Sequence, residues 1–327
     1  MKEEIEAQYD IIVGREWNQF GVKGYESSDG YVALLPAHNV TDEEVFEQRS
    51  LSEYLLSNQW PYTTLPIFTK EGALRTTIEN QEYMLVYVGE LFSKDQSHGS
   101  WLARFHELGQ QYPYQPQHIS RYGKWKTLWE EKMDAWTALY KQQWDIHPAS
   151  SFQRLFIETY PYLEGVVENA IQYLQESEQD WRYEQYDQGT FTVQRLHPSL
   201  LDQTIWSNTI VYDHPSRDIA EWIRYQLLEK GESGFQDIRA FMDDYEAIRP
   251  LSIFGWRLVY ARLILPINLF DRLDEWFNHT NHSGRTQEDQ LRHELENQVN
   301  YEKILHHFFE GIRLDVNKVR IPTLDWY

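Results

Sequence analysis

The spacing of apolar side chains changes texture once along the chain. Up to about residue 89 the apolar positions come in short runs divided by turn residues, the pattern of strands. Ile11-Ile12-Val13 and Tyr31-Val32-Ala33-Leu34-Leu35 are two such runs, the second introduced by the turn Ser27-Ser28-Asp29-Gly30. One helix interrupts them. Thr41 with Glu44 three residues on is a capping box, and Val45, Phe46, Leu51, Tyr54, Leu55 and Leu56 follow at helical spacing up to Pro61. Residues 74–78, the polar turn Glu79-Asn80-Gln81 and residues 83–88 predict a hairpin whose second strand is apolar on both faces.

Beyond Gly89 the pattern is helical for most of the chain. Trp101, Leu102, Phe105, His106 and Leu108 share a helix face that Gly109 should stop, and Trp125, Leu128, Trp129, Met133, Trp136 and Tyr140 form a second stripe. Residues 152–175 predict one or two helices with a break at Pro161. Residues 251–277 and 291–309 predict more, with Pro266 as a kink or boundary. No period recurs that would indicate a solenoid. An α+β, two-lobe arrangement follows: a small β-rich lobe over 1–89 and a larger helical lobe over 90–327, with 190–213 as an irregular stretch inside the second.

Composition narrows the function classes. The 327 residues include 51 acidic and 30 basic side chains, a formal charge of −21, and 13 Trp, 22 Tyr and 15 Phe supply a large apolar core. Such a chain is not a disordered acidic tail. The negative excess repels phosphate backbones and anionic headgroups, so neither nucleic acid nor a membrane surface is an expected partner. The absence of cysteine removes disulfides, thiolate nucleophiles and Cys-type zinc sites. The acidic start Lys2-Glu3-Glu4-Ile5-Glu6 is unlike a signal peptide, and no uninterrupted apolar stretch nears the roughly 20 residues of a membrane span, so a soluble product made in the cytosol is expected.

The stretch from 190 to 225 carries the most specific pattern. Thr190-Phe191-Thr192-Val193 and Thr209-Ile210-Val211-Tyr212 alternate like strands around His197-Pro198-Ser199-Leu200-Leu201-Asp202. Asp213-His214-Pro215-Ser216-Arg217-Asp218 then opens a helix, with Asp213 as a cap and Pro215 in the first turn. Asp218 falls beside the apolar face of Ile219, Ala220, Trp222, Ile223 and Leu227. A buried carboxylate there must accept several hydrogen bonds, so Asp213, Arg217 and Asp218 are expected to hold loop and helix together.

The small strand lobe, the capped helix, the helical lobe and the Asp-His-Pro-x-Arg-Asp segment at 213–218 together resemble the kinase-fold spore coat proteins of endospore-forming bacteria. These are the CotS/YutH group, relatives of the aminoglycoside and choline phosphotransferases. The likeness spans nearly the whole chain and is nearest the YutH type, with Leu102-Ala103-Arg104-Phe105-His106 and Gly123-Lys124-Trp125 in support. The resemblance implies the protein-kinase-like fold, synthesis in the mother cell and a place in the spore coat among other coat proteins.

It also says where phosphoryl-transfer groups should stand, and those positions are changed. Phosphoryl transfer needs a strand Lys, a helix Glu to hold it, an Asp that orients the hydroxyl, and ligands for magnesium. The Lys position on the third strand holds Leu35 beside Leu34. The capped helix retains Glu43, Glu44 and Glu47, which without a Lys are expected to be solvated or to complement the helix dipole. His197-Pro198-Ser199 stands in the His-Gly-Asp slot, so Ser199 replaces the Asp, and Thr204 stands where the Asn should be. Trp206-Ser207-Asn208 occupies the magnesium-binding Asp-x-Asp position, only seven residues beyond Ser199, and an indole is no ligand for a hard cation. No catalytic residue, cofactor or metal is therefore expected. The alternative keeps ATP and magnesium, with Asp202 as base, Asp213 as metal ligand and Lys23 of the turn Gly21-Val22-Lys23-Gly24 in place of the missing Lys.

Other groupings have plainer readings. His279, His282, His293, His306 and His307 are enriched near the end, but the adjacent pair cannot share a helix face and the first two sit in a polar loop, so solvated histidines are expected rather than a metal site. Ser199 near His197 lacks the elbow and oxyanion features of a nucleophile site. The aromatic stripe from Trp125 to Tyr140 reads as core, and 13 Trp exceed what one core readily encloses, which favours exposed aromatic patches for protein contacts.

Overall fold

A computed structural model of the chain describes residues 1–323 except 20, 29, 39, 90–95, 146–149 and 279–283. The turn residue Asp29 and the histidines His279 and His282 lie outside the described residues. By packing, the chain divides into two units, one of Met1–Tyr122, Gly189–Pro215 and Ala247–Arg249, the other of Gly123–Gln188, Ser216–Glu246 and Pro250–Tyr327.

The first unit opens with a helix outside the sequence expectation, α1 (Lys2–Gln8), which buries Ile5 and, just past its end, Tyr9. Then come β1 (Val13–Gln19), β2 (Val22–Ser27), β3 (Gly30–Pro36), α2 (Asp42–Ser57), β4 (Leu65–Pro66), β5 (Thr76–Ile78) and β6 (Gln81–Val88). The strands form an antiparallel sheet in the order β1-β2-β3-β6-β4, with β5 also paired to β6. The first strand starts at Val13; Ile12 is 80% exposed, because the run Ile11-Ile12 precedes the ladder rather than opening it. Residues Glu79 and Asn80, at φ 49° and 63°, make the predicted hairpin turn, and Gln81 already belongs to β6.

Register sorts the side chains of β3 and β6 into two layers, since directly opposed residues share a face. Leu35 opposes Met84 and Ala33 opposes Val86, while Leu34 opposes Leu85 and Val32 opposes Tyr87. The first set, with Val88, is covered by Val45 of α2. Val32, Leu34 and Leu85 pack with Ile5 and Tyr9 from the α1 end of the chain. Both faces of the sheet centre are thus buried, as the unbroken apolar runs predict. Three further elements complete the unit: α3 (His98–Gln110) and the hairpin of β7 (Thr190–Val193) and β8 (Ile210–Asp213). Gly109 lets α3 lie against β7, because a Cβ there would stand 2.3 Å from the Phe191 nitrogen.

The second unit is helical: α4 (Trp125–Asp145), α5 (Ser151–Glu178), α6 (Ser216–Lys230), α7 (Phe235–Glu246), α8 (Ile253–Ile264), α9 (Ile267–Asn278), α10 (Gly284–His306), α11 (Phe308–Gly311) and α12 (Val316–Val319). Trp125, Trp129, Met133 and Trp136 of α4 are buried, as their spacing predicts. Pro161 does not break the chain. It lies inside α5, where it forgoes one backbone hydrogen bond and costs about 3 kcal/mol, offset by Phe156, Tyr160, Leu163, Val166 and Val167 buried on both sides of it. Pro266 is a boundary, separating α8 from α9. The span Ile253–Phe277 has the length and composition of a membrane helix, yet 78% of its most apolar window is interior. It is broken at Pro266 and forms core.

Two groups of buried charges in this unit are paired. Arg224 and Arg262 each donate at 2.9 Å to one Glu221 oxygen, all three side chains being nearly inaccessible, and the Arg262 guanidinium lies 4.7 Å from the Trp125 ring centroid. Asp180 accepts from both Arg182 and Arg257, which hold its carboxyl well below the usual range.

Candidate functional site

The capping box forms as predicted: the Glu44 backbone N–H donates to Thr41 Oγ1 at 3.2 Å, and the Thr41 N–H donates to Glu44 Oε2 at 2.9 Å. This fixes the start of α2 and hence the rotation of the next turn. Val45, Leu51 and Leu55 face the sheet, while Phe46, placed in the same stripe by spacing, points outward at 58% exposure. Glu47 is half-exposed, and its carboxylate is engaged by the protein. The backbone N–H groups of Gln117, His118 and Ile119 donate to its carboxylate at 2.7, 2.9 and 3.0 Å. That segment is itself tied to β8, with the Arg121 N–H donating to Tyr212 O at 2.8 Å and the Tyr212 N–H to Ile119 O at 3.2 Å. The helix glutamate therefore joins α2 to the hairpin region through three amides. Nothing in the local sequence signals this, because the amides are about seventy residues away.

Leu35 and Trp206, which the resemblance sets at the Lys and magnesium positions, belong to one apolar cluster. With them are Ala33, Met84, Val86 and Val88 of the sheet and Val45 of α2. Trp206 is held there by its neighbours. The Thr64 N–H donates to Ile205 O, the Ile205 N–H to Tyr62 O, and the Ser207 N–H to Thr64 Oγ1, at 3.1, 2.8 and 2.9 Å. Trp17 packs on the same cluster, its indole seated over Gly24, where a Cβ would stand 2.2 Å from the ring. Gly24 thus makes room for an aromatic side chain rather than for a phosphate.

Ser199 is exposed in the 3-10 turn Pro198–Asp202, its N–H and hydroxyl both directed to His197 Nδ1, at 3.2 and 2.7 Å. That nitrogen is an acceptor, which puts the ring proton on Nε2. Thr204 is buried, and its Oγ1 has no hydrogen-bond partner among the described residues. Asp202, 63% exposed at its side chain, meets His98 Nε2 at 2.9 Å. Asp213 is fully buried at the end of β8 and accepts from the His214 N–H at 2.7 Å; α6 begins at Ser216, so Pro215 precedes the first turn instead of lying in it. Asp218 is fully buried in the first turn of α6, and Arg217 is partly exposed beside it. Among the described residues no three His, Asp or Glu side chains group at metal-binding spacing.

Lys23 lies on the wrong side of the sheet to replace a lysine at Leu35. It opposes Leu34, whose face packs toward α1, and its ammonium meets Glu16 at 3.3 Å and the Tyr25 ring at 5.8 Å on that side. Elsewhere in the first unit, burial with Arg249 and His214 nearby pushes the His106 imidazole well below its ordinary value, so this fully buried ring is neutral.

The comparisons agree with this geometry at the level of fold and family. The chain is similar over 96% of its length to an aminoglycoside phosphotransferase from Alicyclobacillus acidocaldarius, covering 96% of that chain at a TM-score of 0.63 and 13% identity. It is similar to a microcompartment-associated aminopropanol kinase at a TM-score of 0.57 and 12% identity, covering 95% and 97% of the two chains. These establish the kinase-like fold. The endospore coat-associated protein YutH of Bacillus subtilis is 31% identical over 311 residues, 92% of this chain and 90% of that protein. The family described as "Spore coat putative kinase YutH" matches residues 2–308, and the chain belongs to it.

Proposed function

We propose that this chain is a catalytically inactive kinase-fold protein that acts through protein contacts in the spore coat, after synthesis in the mother cell. The observation that carries the reading is the shared apolar cluster of Leu35 and Trp206. A triphosphate with magnesium needs a cation on one side and oxygen ligands on the other. Leucine and indole supply neither, and both are packed among apolar side chains. The Glu47 interaction supports the same reading, since one of the three helix carboxylates that a lysine could use, Glu43, Glu44 and Glu47, is engaged by backbone amides. The location is supported by the Bacillus subtilis relative, whose name makes it coat-associated, and other coat proteins are the partners that follow. Titrating magnesium and ATP against thermal melting and phosphate release should leave both unchanged. A stabilising shift with steady turnover, or transfer to a hydroxyl substrate, would overturn the proposal.

An active phosphotransferase with relocated groups draws on one observation, the exposed Asp202 carboxylate beside His98, which a hydroxyl substrate could reach. It requires a cation that Lys23 supplies only from the opposite sheet face. That reading predicts that Asp202→Ala abolishes transfer; turnover unchanged by the substitution would end it.

A further inference from the structure

A groove of about 550 Å³ lies along the outer side of α2, within the first unit. Phe46, Phe68 and Leu74 are among its apolar lining residues, and Asp42, Glu43 and Glu47 are the acidic ones, with His118 beside them. Both phenylalanines are unusually open, at 58% and 41% exposure, for rings that a monomer gains by burying. Among the described residues no Lys or Arg lines the groove; the Arg49 guanidinium lies 4.5 Å from the Phe68 ring centroid and is itself paired with Glu53 at 2.6 Å. Arg75 compensates Asp42 at 2.6 Å, and the three amides on Glu47 satisfy its oxygens without neutralising its charge, while Glu43 is exposed to solvent.

We infer that this groove receives a segment of a partner protein in which a large apolar side chain stands next to Lys or Arg. The apolar residue would lie between Phe46 and Phe68, and the cation would meet Glu43 at the rim. Charge complementarity selects this occupant. A second copy of a chain with charge −21 is repelled, as are phosphate-bearing surfaces. The choice of a protein segment rests on the contact-based function proposed above. The volume is within the range of sites that bury an anchoring group, roughly 300–1,000 Å³.

The test is calorimetric titration of the full chain with an acetylated, amidated hexapeptide of alternating lysine and phenylalanine, and with its counterpart in which glutamate replaces lysine. The lysine peptide should bind and the glutamate peptide should not. Glu43→Lys and Phe46→Ser should each weaken binding about tenfold or more, given that like charge at a contact costs several kcal/mol and a buried aromatic anchor dominates affinity. Glu168→Lys makes the same charge change on an exposed turn of α5 and should leave affinity within about twofold. Absence of binding, equal loss in Glu43→Lys and Glu168→Lys, or equal affinity for the glutamate peptide would each overturn the inference. The titration contains no nucleotide, so its outcome is independent of the magnesium and ATP experiment.

Discussion

A lysine introduced at position 35, where the resemblance sets the strand Lys, tests whether an anion site is present there. Leu35 is 2% exposed among apolar side chains. If an anion were waiting there, Leu35→Lys would find a partner and stability would change little. In the packing described, the new ammonium would stand among Ala33, Met84, Val86 and Val45, while the Glu47 carboxylate is already directed to the amides of residues 117–119. A buried lysine then titrates in the folded state far below its unfolded value of about 10.4 and reaches about 5–6 in fully apolar surroundings. At pH 7 the unfolded chain holds a proton that the folded chain must release, a cost of about 1.36 kcal/mol for each of roughly 3.4 units, or about 4.6 kcal/mol. The sign is set by proton binding: the unfolded state binds more protons, so stability rises with pH. At pH 9 the cost falls to about 2 kcal/mol. Urea denaturation of the wild type, Leu35→Met and Leu35→Lys at both values measures it, with the methionine variant reporting the packing change alone. A lysine variant within about 1 kcal/mol of the methionine variant at pH 7, with no gain at pH 9, would refute the reasoning.

Glu47→Gln removes the charge from three amide hydrogen bonds on a partly exposed side chain and should cost about 2–3 kcal/mol, with faster proteolysis near residues 111–122; a loss under about 0.5 kcal/mol would reduce the contact to a surface detail. Glu221→Gln leaves Arg224 and Arg262 buried without their shared carboxylate, and urea denaturation should register about 3–5 kcal/mol. His106 is neutral when folded and takes a proton when unfolded below about pH 6.5, so the stability it confers is complete above that value and is lost as pH falls toward its depressed folded value, at up to about 1.4 kcal/mol per unit. His106→Gln should flatten the melting profile between about pH 6.5 and 5, and an unchanged slope would assign the acid sensitivity elsewhere.

Features governed by neighbours a few residues apart were legible in the chain itself. The Thr41–Glu44 box, the hairpin at residues 74–88, the α4 tryptophan stripe and the boundary at Pro266 all depend on period, capping or turn chemistry. Residue type was equally legible, because it alone decides whether a side chain such as Leu35 or Trp206 can carry charge or bind a cation. Their surroundings were not. Phe46 has helical spacing but projects outward, Pro161 is tolerated inside a helix that packing sustains, and Trp144 and Trp181 stay exposed while most of the aromatic stripe is interior.

What only tertiary structure decided is which distant groups meet. Glu47 finds amides some seventy residues on, Trp206 reaches the cluster of Leu35, and Lys23 is turned from that cluster by its pairing with Leu34. A one-residue shift of register would reverse the last of these, since strand side chains alternate between faces. The chain determined which chemical groups were available and which local elements formed. Long-range packing determined their neighbours, because closing loops of that length is favourable only when many contacts form together.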